Sequence, residues 1–517
     1  MKPDLPGLIA ALSDPQVFPE ATSSVRFVQT QMSCVFLTDE YAYKIKKPVN
    51  LGYVDYTSVE KRRYFCEREI ELNRRLCPAA YLGVMPITFD GAKFAFEGAG
   101  EVVDYAVRMK RLPDDRLLDN LLRQNSVTPD MMDVVAGKLA RFHAGAETNA
   151  EIAAYGGLAT ITQNIEENFS QTRKYFGRSI SEPQFKRIQD YTRGFIHNNG
   201  ALFEKRVEEG RTRDCHGDLH AQHICFCHDL CIFDCIEFNE RFRYCDTASE
   251  VAFLAMDLDR YGRADLGRRF VQEYIAHSGD AGIPAILNFY KCYRAYVRGK
   301  VSSFKLDDPL VSEADKQESQ ANAQGYFDLA LSYTRGKPLL VVMVGLTGSG
   351  KTTLANSLAQ RLGVMHISSD VTRKRLAGIP ATEHRYDEPA SGIYSPEFNR
   401  KTYDAVFAQA ADLLKNGASV ILDAAFLKQP ERARAATMAQ EHGAGYLVVE
   451  CRITPELTQK RLLQRLGEVS ASDGRWEIYQ KQAAWFEPVA DTSKRYMLID
   501  TSLPLAQNIR QILDRIG

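Results

Sequence analysis

A chain of 517 residues is too long for one ordinary hydrophobic core and implies about two to four domains. Hydrophobic residues at 45% and charged residues at 25% are ordinary globular proportions. The net charge of −1 excludes a chain that holds DNA or anionic membranes by bulk positive charge, leaving only local basic pockets for phosphates.

In chain order, the N-terminal stretch "MKPDLPGLIAALSDPQVF" is too short and too interrupted by Asp and Pro for a signal peptide. No run elsewhere approaches the ~18 apolar residues of a membrane span, so no membrane partner is expected. Eleven cysteines without a secretory signal are expected as reduced thiols of a cytoplasmic protein. From about 25 to 109 short strands surround one helix. "SCVFLTDEYAYKIKKPV" forms a hairpin turning at Thr38-Asp39-Glu40, because apolar runs flank a polar turn. "SVEKRRYFCEREIELNRRLCP" is a helix stopped by Pro78, and "EVVDYAVRMKRLP" a strand leading into a connector. From about 112 to 332 helical periods dominate. In "LNFYKCYRAYVRGKVSSF", Tyr290, Tyr293, Val297 and Val301 recur at three- and four-residue spacing.

That region is broken by "CHGDLHAQHICFCHDLCIFDCIEF", residues 215–238. His216, His220, His223 and His228 with Cys225, Cys227, Cys231 and Cys235 offer ample zinc ligands, yet structural zinc uses paired Cys-x₂₋₄-Cys knuckles. Here "HICFC" and "LCIFDCIEF" alternate as two arms of a hairpin turning at His228-Asp229-Leu230, where thiols serve as small core residues. His216-Gly217-Asp218 followed by His223 instead matches the H-x-D-x₄-N spacing of a protein-kinase-like catalytic loop. Asp218 is the expected base for an acceptor hydroxyl, and Asp234 the expected Mg²⁺-chelating Asp of D-F-G. His223 stands where that loop has Asn; imidazole ligates metals but suits Mg²⁺ less well than an amide oxygen. Lys44 in "AYKIK" sits like the Lys of V-A-I-K, with Lys46 as the alternate. Glu69 in "CEREIELN" is its expected partner, with Glu67 and Glu71 as rivals, and the connector would meet adenine near Met109 to Arg111. "TQMSCVFLTDE" has no glycine, so no G-x-G-x-x-G flap covers the phosphates.

On these residues, and on "EIELNRRLCPAAYLGV" and "IFDCIEFNERFRYCDTASEVAFLAMDL", the chain from about 25 to 330 resembles the aminoglycoside phosphotransferase family. The resemblance implies a bilobal, protein-kinase-like α+β fold over residues 1–335, with a small lobe at about 25–109 and a helical large lobe at about 112–332. It also implies an ATP and Mg²⁺ site built on Lys44, Glu69, Met109, Asp218, His223 and Asp234, with Asp246 bracing the catalytic loop.

"SFKLDDPLVSEADKQESQANAQ" is polar and charge-mixed, part linker and part exposed helix, with a boundary before Lys337. Beyond it "KPLLVVMVGL", "GVMHISSD", "ASVILDAAF", "AGYLVVECRI" and "RYMLIDTS" alternate with helical stretches. That is the pattern of an α/β domain whose five-stranded parallel sheet is covered by helices on both faces. "GLTGSGKTT" fits G-x-x-x-x-G-K-[ST] between the first strand and a helix. Backbone amides from Gly345, Thr347, Gly348, Ser349 and Gly350 would wrap phosphates. Lys351 would hold the β- and γ-phosphates, and Thr352, followed by Thr353, would ligate Mg²⁺. Asp423 ends "ASVILD" as a Walker B carboxylate. Asp370, ending the second strand in "HISSDVTRKRL", either deprotonates an acceptor hydroxyl or caps the next helix, with Arg373 and Arg375 beside it for the substrate. Arg461 and Arg465 share one helical face before a Ser/Asp/Gly loop, as a mobile lid or a solvated basic face.

In "SSDVTRKRLAG", "VILDAAFLKQPER" and "QKQAAWFEP", residues from about 337 to 517 resemble the P-loop kinase group that includes zeta-toxin-like, gluconate-kinase-like and polynucleotide-kinase-like proteins. With a P-loop domain over 336–517, the two resemblances together imply an ATP- and Mg²⁺-dependent kinase with two ATP-type sites, acting on a small hydroxylated molecule. Two rivals stand beside this reading. In one, the N-terminal half is a nucleotide-binding pseudokinase that regulates the P-loop enzyme. In the other, the C-terminal domain acts on nucleic-acid ends through a basic groove at Arg373, Lys374 and Arg375.

Overall fold

The computed structural model describes residues 4–227, 229–308, 311–380, 383, 391–415, 417–464, 472–489 and 495–516. The chain forms two compact units. One comprises residues 1–171, 193–257 and 266–294, the other residues 172–192, 258–265 and 295–517.

The first unit begins with helix α1 (Leu5–Ala11), capped by Asp4, and a sheet in the order β1-β2-β3-β6-β4-β5. Its strands are β1 (Arg26–Gln29), β2 (Ser33–Leu37), β3 (Tyr41–Lys46), β4 (Tyr81–Phe89), β5 (Phe94–Phe96) and β6 (Glu101–Lys110), each pair antiparallel. The β2–β3 turn closes through Thr38 N–H to Tyr41 O at 2.9 Å, as the polar turn residues lead one to expect. Helix α2 (Val59–Arg74) starts at Ser58, whose hydroxyl accepts from Lys61 N–H. Alternation along β6 divides the packing. Ala106 joins Phe36, Tyr43, Ile45 and Ile87 on the α1 side, whereas Val107 joins Cys66, Ile70 and Tyr81 on the α2 side. Met109, expected near the connector, lies inside β6, opposite Ala42 and Tyr81, because both flanking strands extend the ladder that far.

Helix α3 (Pro129–Gly145) follows, then the short strands β7 (Thr212–Asp214), β8 (Ile224–Phe226), β9 (Leu230–Ile232) and β10 (Tyr244–Asp246), and helix α4 (Thr247–Arg260). β8 and β9 form the expected hairpin, pairing Cys225 with Cys231; His228 lies outside the described residues. The expectation of reduced thiols fails at one pair. Cys77 and Cys231, with Cα atoms 4.8 Å apart, are joined as a disulfide across 154 residues, while the other nine cysteines are free. Helix α5 (Ile283–Phe304) buries Tyr290 but leaves Val301 exposed, so the apolar stripe ends before the helix does.

In the second unit the polar stretch after 312 forms a helix whose first turns, Glu313 to Glu318, are largely exposed, and which becomes buried further along. Helix α6 (Glu313–Tyr333) buries Ala323, Phe327, Leu329 and Ala330, since its small and apolar residues fall on one face. Strand β11 (Leu339–Val344) leads into helix α7 (Lys351–Leu362), and Asp328 of α6 accepts from Arg361 of α7 at 2.8 Å. Next come β12 (Met365–Ser368), α8 (Ser369–Leu376), α9 (Pro396–Lys415), β13 (Val420–Asp423), α10 (Gln429–Glu441) and β14 (Gly445–Arg452). The unit ends with α11 (Pro455–Gln464), α12 (Trp476–Trp485), β15 (Tyr496–Asp500) and α13 (Leu505–Ile516). Among the described residues the sheet has five parallel strands in the order β12-β13-β11-β14-β15. Helices cover both faces: Leu340, Val342 and Val344 of β11 enter one core, Val341 and Met343 the other. No helix among the described residues is long and apolar enough to cross a membrane.

Candidate functional site

In the first unit, β3 presents Lys44 and Lys46 to the same side, two residues apart, and both reach Glu69 of α2. Lys44 Nζ donates to Glu69 Oε1 at 2.8 Å and to Asp234 Oδ1 at 2.6 Å. Lys46 Nζ donates to Glu69 Oε2 at 2.7 Å and also to Glu237, which accepts from the Tyr56 hydroxyl at 2.7 Å. The rivals of Glu69 are spoken for at the surface, Glu67 by Arg63 and Glu71 by Arg68. Burial acts against both charged forms, yet the opposite charges win: Asp234 and Glu69 hold Lys44 well above its ordinary value, and the two lysines hold Glu69 below its own. Burial likewise opposes the Asp234 charge, but Lys44 and then His223 pull its carboxyl down. Asp234 has φ +62°, a left-handed conformation that Asp tolerates better than most residues. It turns the carboxylate back toward Lys44.

The loop carrying Asp218 is held by groups that motif spacing does not reveal. Glu250 of α4 accepts from Gly217 N–H at 2.6 Å and His216 N–H at 3.1 Å, and His143 of α3 donates to it at 2.7 Å. Asp257 accepts from Ala221 N–H at 2.9 Å, and Arg294 donates to Gly217 O at 3.1 Å. Asp246, expected to brace this loop, instead pairs with Arg206 at 2.6 and 2.7 Å. It sits at the end of β10, opposite Thr212 of β7, and faces the helix that carries Arg206. Asp218 Oδ2 lies 3.4 Å from His220 Nε2 and 3.6 Å from His223 Nδ1, while His223 Nε2 lies 3.4 Å from Asp234 Oδ2.

Burial opposes the Glu250 charge, but His143, His216 and the loop amide hold its carboxyl down at about 2. The stability this gives is complete above the ordinary value of 4.5 and is lost as pH falls toward 2. Glu250→Gln is therefore expected to cost about 3 kcal/mol at pH 7 and little at pH 2, read from denaturant midpoints across that range.

In the second unit, Gly345 leaves β11 at φ +143°, where a Cβ would lie 2.5 Å from Cys451 O, so only glycine opens the loop here. Lys351 heads α7 and donates to Leu346 O at 2.9 Å. Thr501 Oγ1 donates to Ser349 O at 2.5 Å, and Arg461 of α11 donates to Thr501 O at 2.7 Å. Arg465 lies outside the described residues. Thr347 N–H donates to Gln482 Oε1 of α12 at 2.7 Å. Gly474 crosses the same loop so closely that a Cβ would stand 1.9 Å from Thr347 Oγ1. Gly348 and Gly350 follow in the left-handed region; Thr352 and Thr353 are exposed on the first turn of α7.

Ser368, not Asp370, caps α8 by accepting from Val371 N–H. That frees Asp370 to face Asp423 and Lys351. Burial pushes the Asp370 carboxyl up, and Asp423 adds to this against Arg373, Lys351 and the Ser472 hydroxyl. Asp423 moves the other way: against its burial, His366, Lys351 and the Thr352 hydroxyl hold it below its ordinary value. His366 Nε2 is 3.3 Å from Asp423 Oδ2, and sequence reasoning missed it although it stands in the strand ending at Ser368. Arg373 is buried, donating to Ile393 O at 2.8 Å and lying over the Tyr394 ring. Lys374 is buried on Asp473, and Arg375 is exposed on the far side of α8. The structure thus brings Lys351, Thr352, Asp370, Arg373 and Asp423 together and leaves Arg375 out.

Residues 340–489 match the family model described as AAA domain. A shikimate kinase of Salinispora arenicola is 35% identical over 109 residues, 21% of this chain and 59% of its own. A gluconokinase structure from Sinorhizobium meliloti aligns with 35% of this chain and 93% of its own at 21% identity and a TM-score of 0.27. The family match, together with the glycine loop between β11 and α7, makes the C-terminal part a P-loop domain. The Mycobacterium tuberculosis protein Rv2004c is 31% identical over 489 residues, 93% of each chain. A match of that extent takes in both units, and the chain belongs to the family of Rv2004c.

Proposed function

We propose that the protein is an ATP- and Mg²⁺-dependent phosphotransferase whose P-loop centre transfers the γ-phosphoryl group to a hydroxyl of a small molecule. The observation that carries this reading is the placement of Lys351 at the head of α7, behind the glycine loop, with Asp423 at the end of β13 and Asp370 just beyond the end of the adjacent β12; the opposed directions of the two carboxylates agree with it. Lys351 would hold the β- and γ-phosphates, and Thr352 and Asp423 would hold Mg²⁺, which would supply neutralising charge to the phosphates. Asp370 takes the proton of the acceptor hydroxyl, and Arg373 positions the acceptor. The match to a shikimate kinase supports an alcohol as the acceptor class. A nucleic-acid end is less well supported, because Arg373 and Lys374 are committed inside the unit and only Arg375 faces solvent.

In the same reading residues 1–335 are an aminoglycoside-phosphotransferase-like domain, with Lys44, Glu69, Asp218 and Asp234 as a second ATP-type centre, and 336–517 the P-loop domain. The Lys44–Glu69–Asp234 chain supports it. His223 favours a variant in which this half binds nucleotide without turnover and regulates its neighbour.

The test is ADP release over sugars, aminoglycosides, nucleosides and oligonucleotide 5′-ends, with wild type and Asp218→Asn in parallel. Release with any alcohol supports the reading; release with none overturns it. A loss confined to one acceptor in Asp218→Asn assigns that acceptor to the first unit. Because Asp370 is held up, turnover at the P-loop centre is expected to fall with acid at a pH above the ordinary carboxylate value of 3.8. The pH profile of kcat/KM checks this, and Asp370→Asn removes that limb.

A further inference from the structure

A phosphate loop without its ligand has buried N–H groups that need acceptors, and the chain must supply them until a ligand does. Thr347 is buried in that loop, and its N–H donates to Gln482 Oε1 of α12 at 2.7 Å. A backbone N–H can pair only with the oxygen of a carboxamide, so the bond fixes which way the Gln482 amide faces. A neutral oxygen thus stands where the loop would offer its N–H to a phosphate oxygen.

The helix that brings this oxygen is held differently from α7 and α11 beside it in the chain, which both bury residues. No residue of α12 is buried, so no apolar face holds it down. Its flanks are held instead. Before it, Asp473 accepts from Lys374 Nζ at 3.2 Å and from the Tyr394 hydroxyl at 2.7 Å, and both Asp473 and Lys374 are buried. After it, Phe486 packs on the core that contains Phe426, and Arg432 donates to Glu487 O at 2.9 Å. Glu487 Oε2 also accepts from Gln429 N–H at 2.7 Å. Between these anchors the segment crosses the loop at Gly474, where a Cβ would stand 1.9 Å from Thr347 Oγ1. A strap fixed at both ends and unburied between them can lift from the loop while the sheet stays folded.

We propose that Gln482 is an autoinhibitory plug: it holds the Thr347 amide while the site is empty, and nucleotide phosphate displaces it and lifts α12 from the loop. Gln482 acts in this way only if the loop binds phosphate, as proposed above. Phosphate is a charged acceptor and holds an N–H roughly twice as strongly as a neutral one, so it wins the amide. Breaking the neutral bond first lowers the apparent affinity by about 3- to 10-fold, the worth of one ordinary hydrogen bond.

The experiment is calorimetric titration of the full-length chain with a non-hydrolysable ATP analogue and Mg²⁺, the P-loop event being the one that Lys351→Ala removes. Gln482→Ala is expected to bind about 3- to 10-fold more tightly than wild type. Gln482→Glu is expected to bind at least about 10-fold more weakly, since a carboxylate holds the amide harder and repels phosphate. Gln480→Ala, exposed on the same helix, is expected to change nothing. A merely structural glutamine would weaken binding in both Gln482 variants. Hydrogen exchange over 476–485 gives a second readout. The analogue is expected to speed it, and Gln482→Ala to show the faster exchange without ligand. Equal or weaker binding by Gln482→Ala, tighter binding by Gln482→Glu, or exchange slowed by the analogue overturns the plug. So does the absence of any event that Lys351→Ala removes. Tighter binding by Gln482→Ala without ADP release on any alcohol leaves the plug standing and overturns the transfer reading; the reverse pair of results removes the plug alone.

Discussion

Lys351→Ala is expected to lower ADP release at the P-loop centre by about 10²- to 10³-fold, the loss seen when one preorganised group is removed from a developing charge. The side chain is placed for this at the first residue of α7, where the helix terminus and the loop amides add to its field. It spans the loop to Leu346 O, and its charge is felt by both Asp370 and Asp423. Removing it withdraws a cation whose charge both carboxylates feel, so Asp423 and Asp370 repel more strongly. The fold should persist, because the core side of α7 rests on Leu354, Leu358 and Leu362. The measurement is ADP release at saturating nucleotide, with unfolding temperature as control. Undiminished release in a folded variant would place the transfer elsewhere.

Lys46→Met is expected to cost about 3–5 kcal/mol of stability, the usual penalty for breaking a buried ion pair from one side. Its side chain is 0% exposed, pairs with Glu69 and Glu237, and lies 5.0 Å from the Tyr56 ring centre. Without it, Glu69 and Glu237 remain buried with one cation fewer. Lys44→Met should cost less, since Lys44 is 13% exposed and Asp234, its second partner, is 39% exposed. The two lysines of β3 therefore separate by measurement: Lys46→Met loses more stability than Lys44→Met. The folded-state pKa of Glu69 is depressed, so its contribution holds above the ordinary value of 4.5 and falls away below it. Lys46→Met removes part of that depression, and its penalty should be larger at pH 7 than at pH 4. Denaturant midpoints at both pH values check the sign. Equal midpoints for the two lysine variants at pH 7 would refute this division of roles.

Local patterns were legible where one segment carries its own geometry. The P-loop reads directly because strand, glycine turn and helix are contiguous, and β11 enters two cores as a covered parallel strand should. Lys44, Glu69 and Asp234 converge although they lie far apart in sequence, since strand, helix and hairpin could each be phased separately. The phase of α8 was not legible. A helix starting at Ser368 puts Asp370, Arg373 and Lys374 on one face at i, i+3 and i+4, and turns Arg375 away. Glu250, Asp257 and Asp473 were missed because each reaches its partners across the fold and none stands at a telling spacing. A carboxylate three residues after Asp234 was the available sign of Glu237. The Cys77–Cys231 bond was hidden because pairing across 154 residues is a tertiary fact.

Gln482 on the amide of Thr347 has an optical consequence. The chain's two tryptophans, Trp476 and Trp485, are the first and last residues of the helix that carries Gln482. Trp476 is stacked on Tyr479 at 4.8 Å, and Trp485 is 55% exposed. Intrinsic tryptophan emission from this protein therefore comes from that helix alone, and light collected from the whole molecule is a private signal of the helix that holds the Thr347 amide.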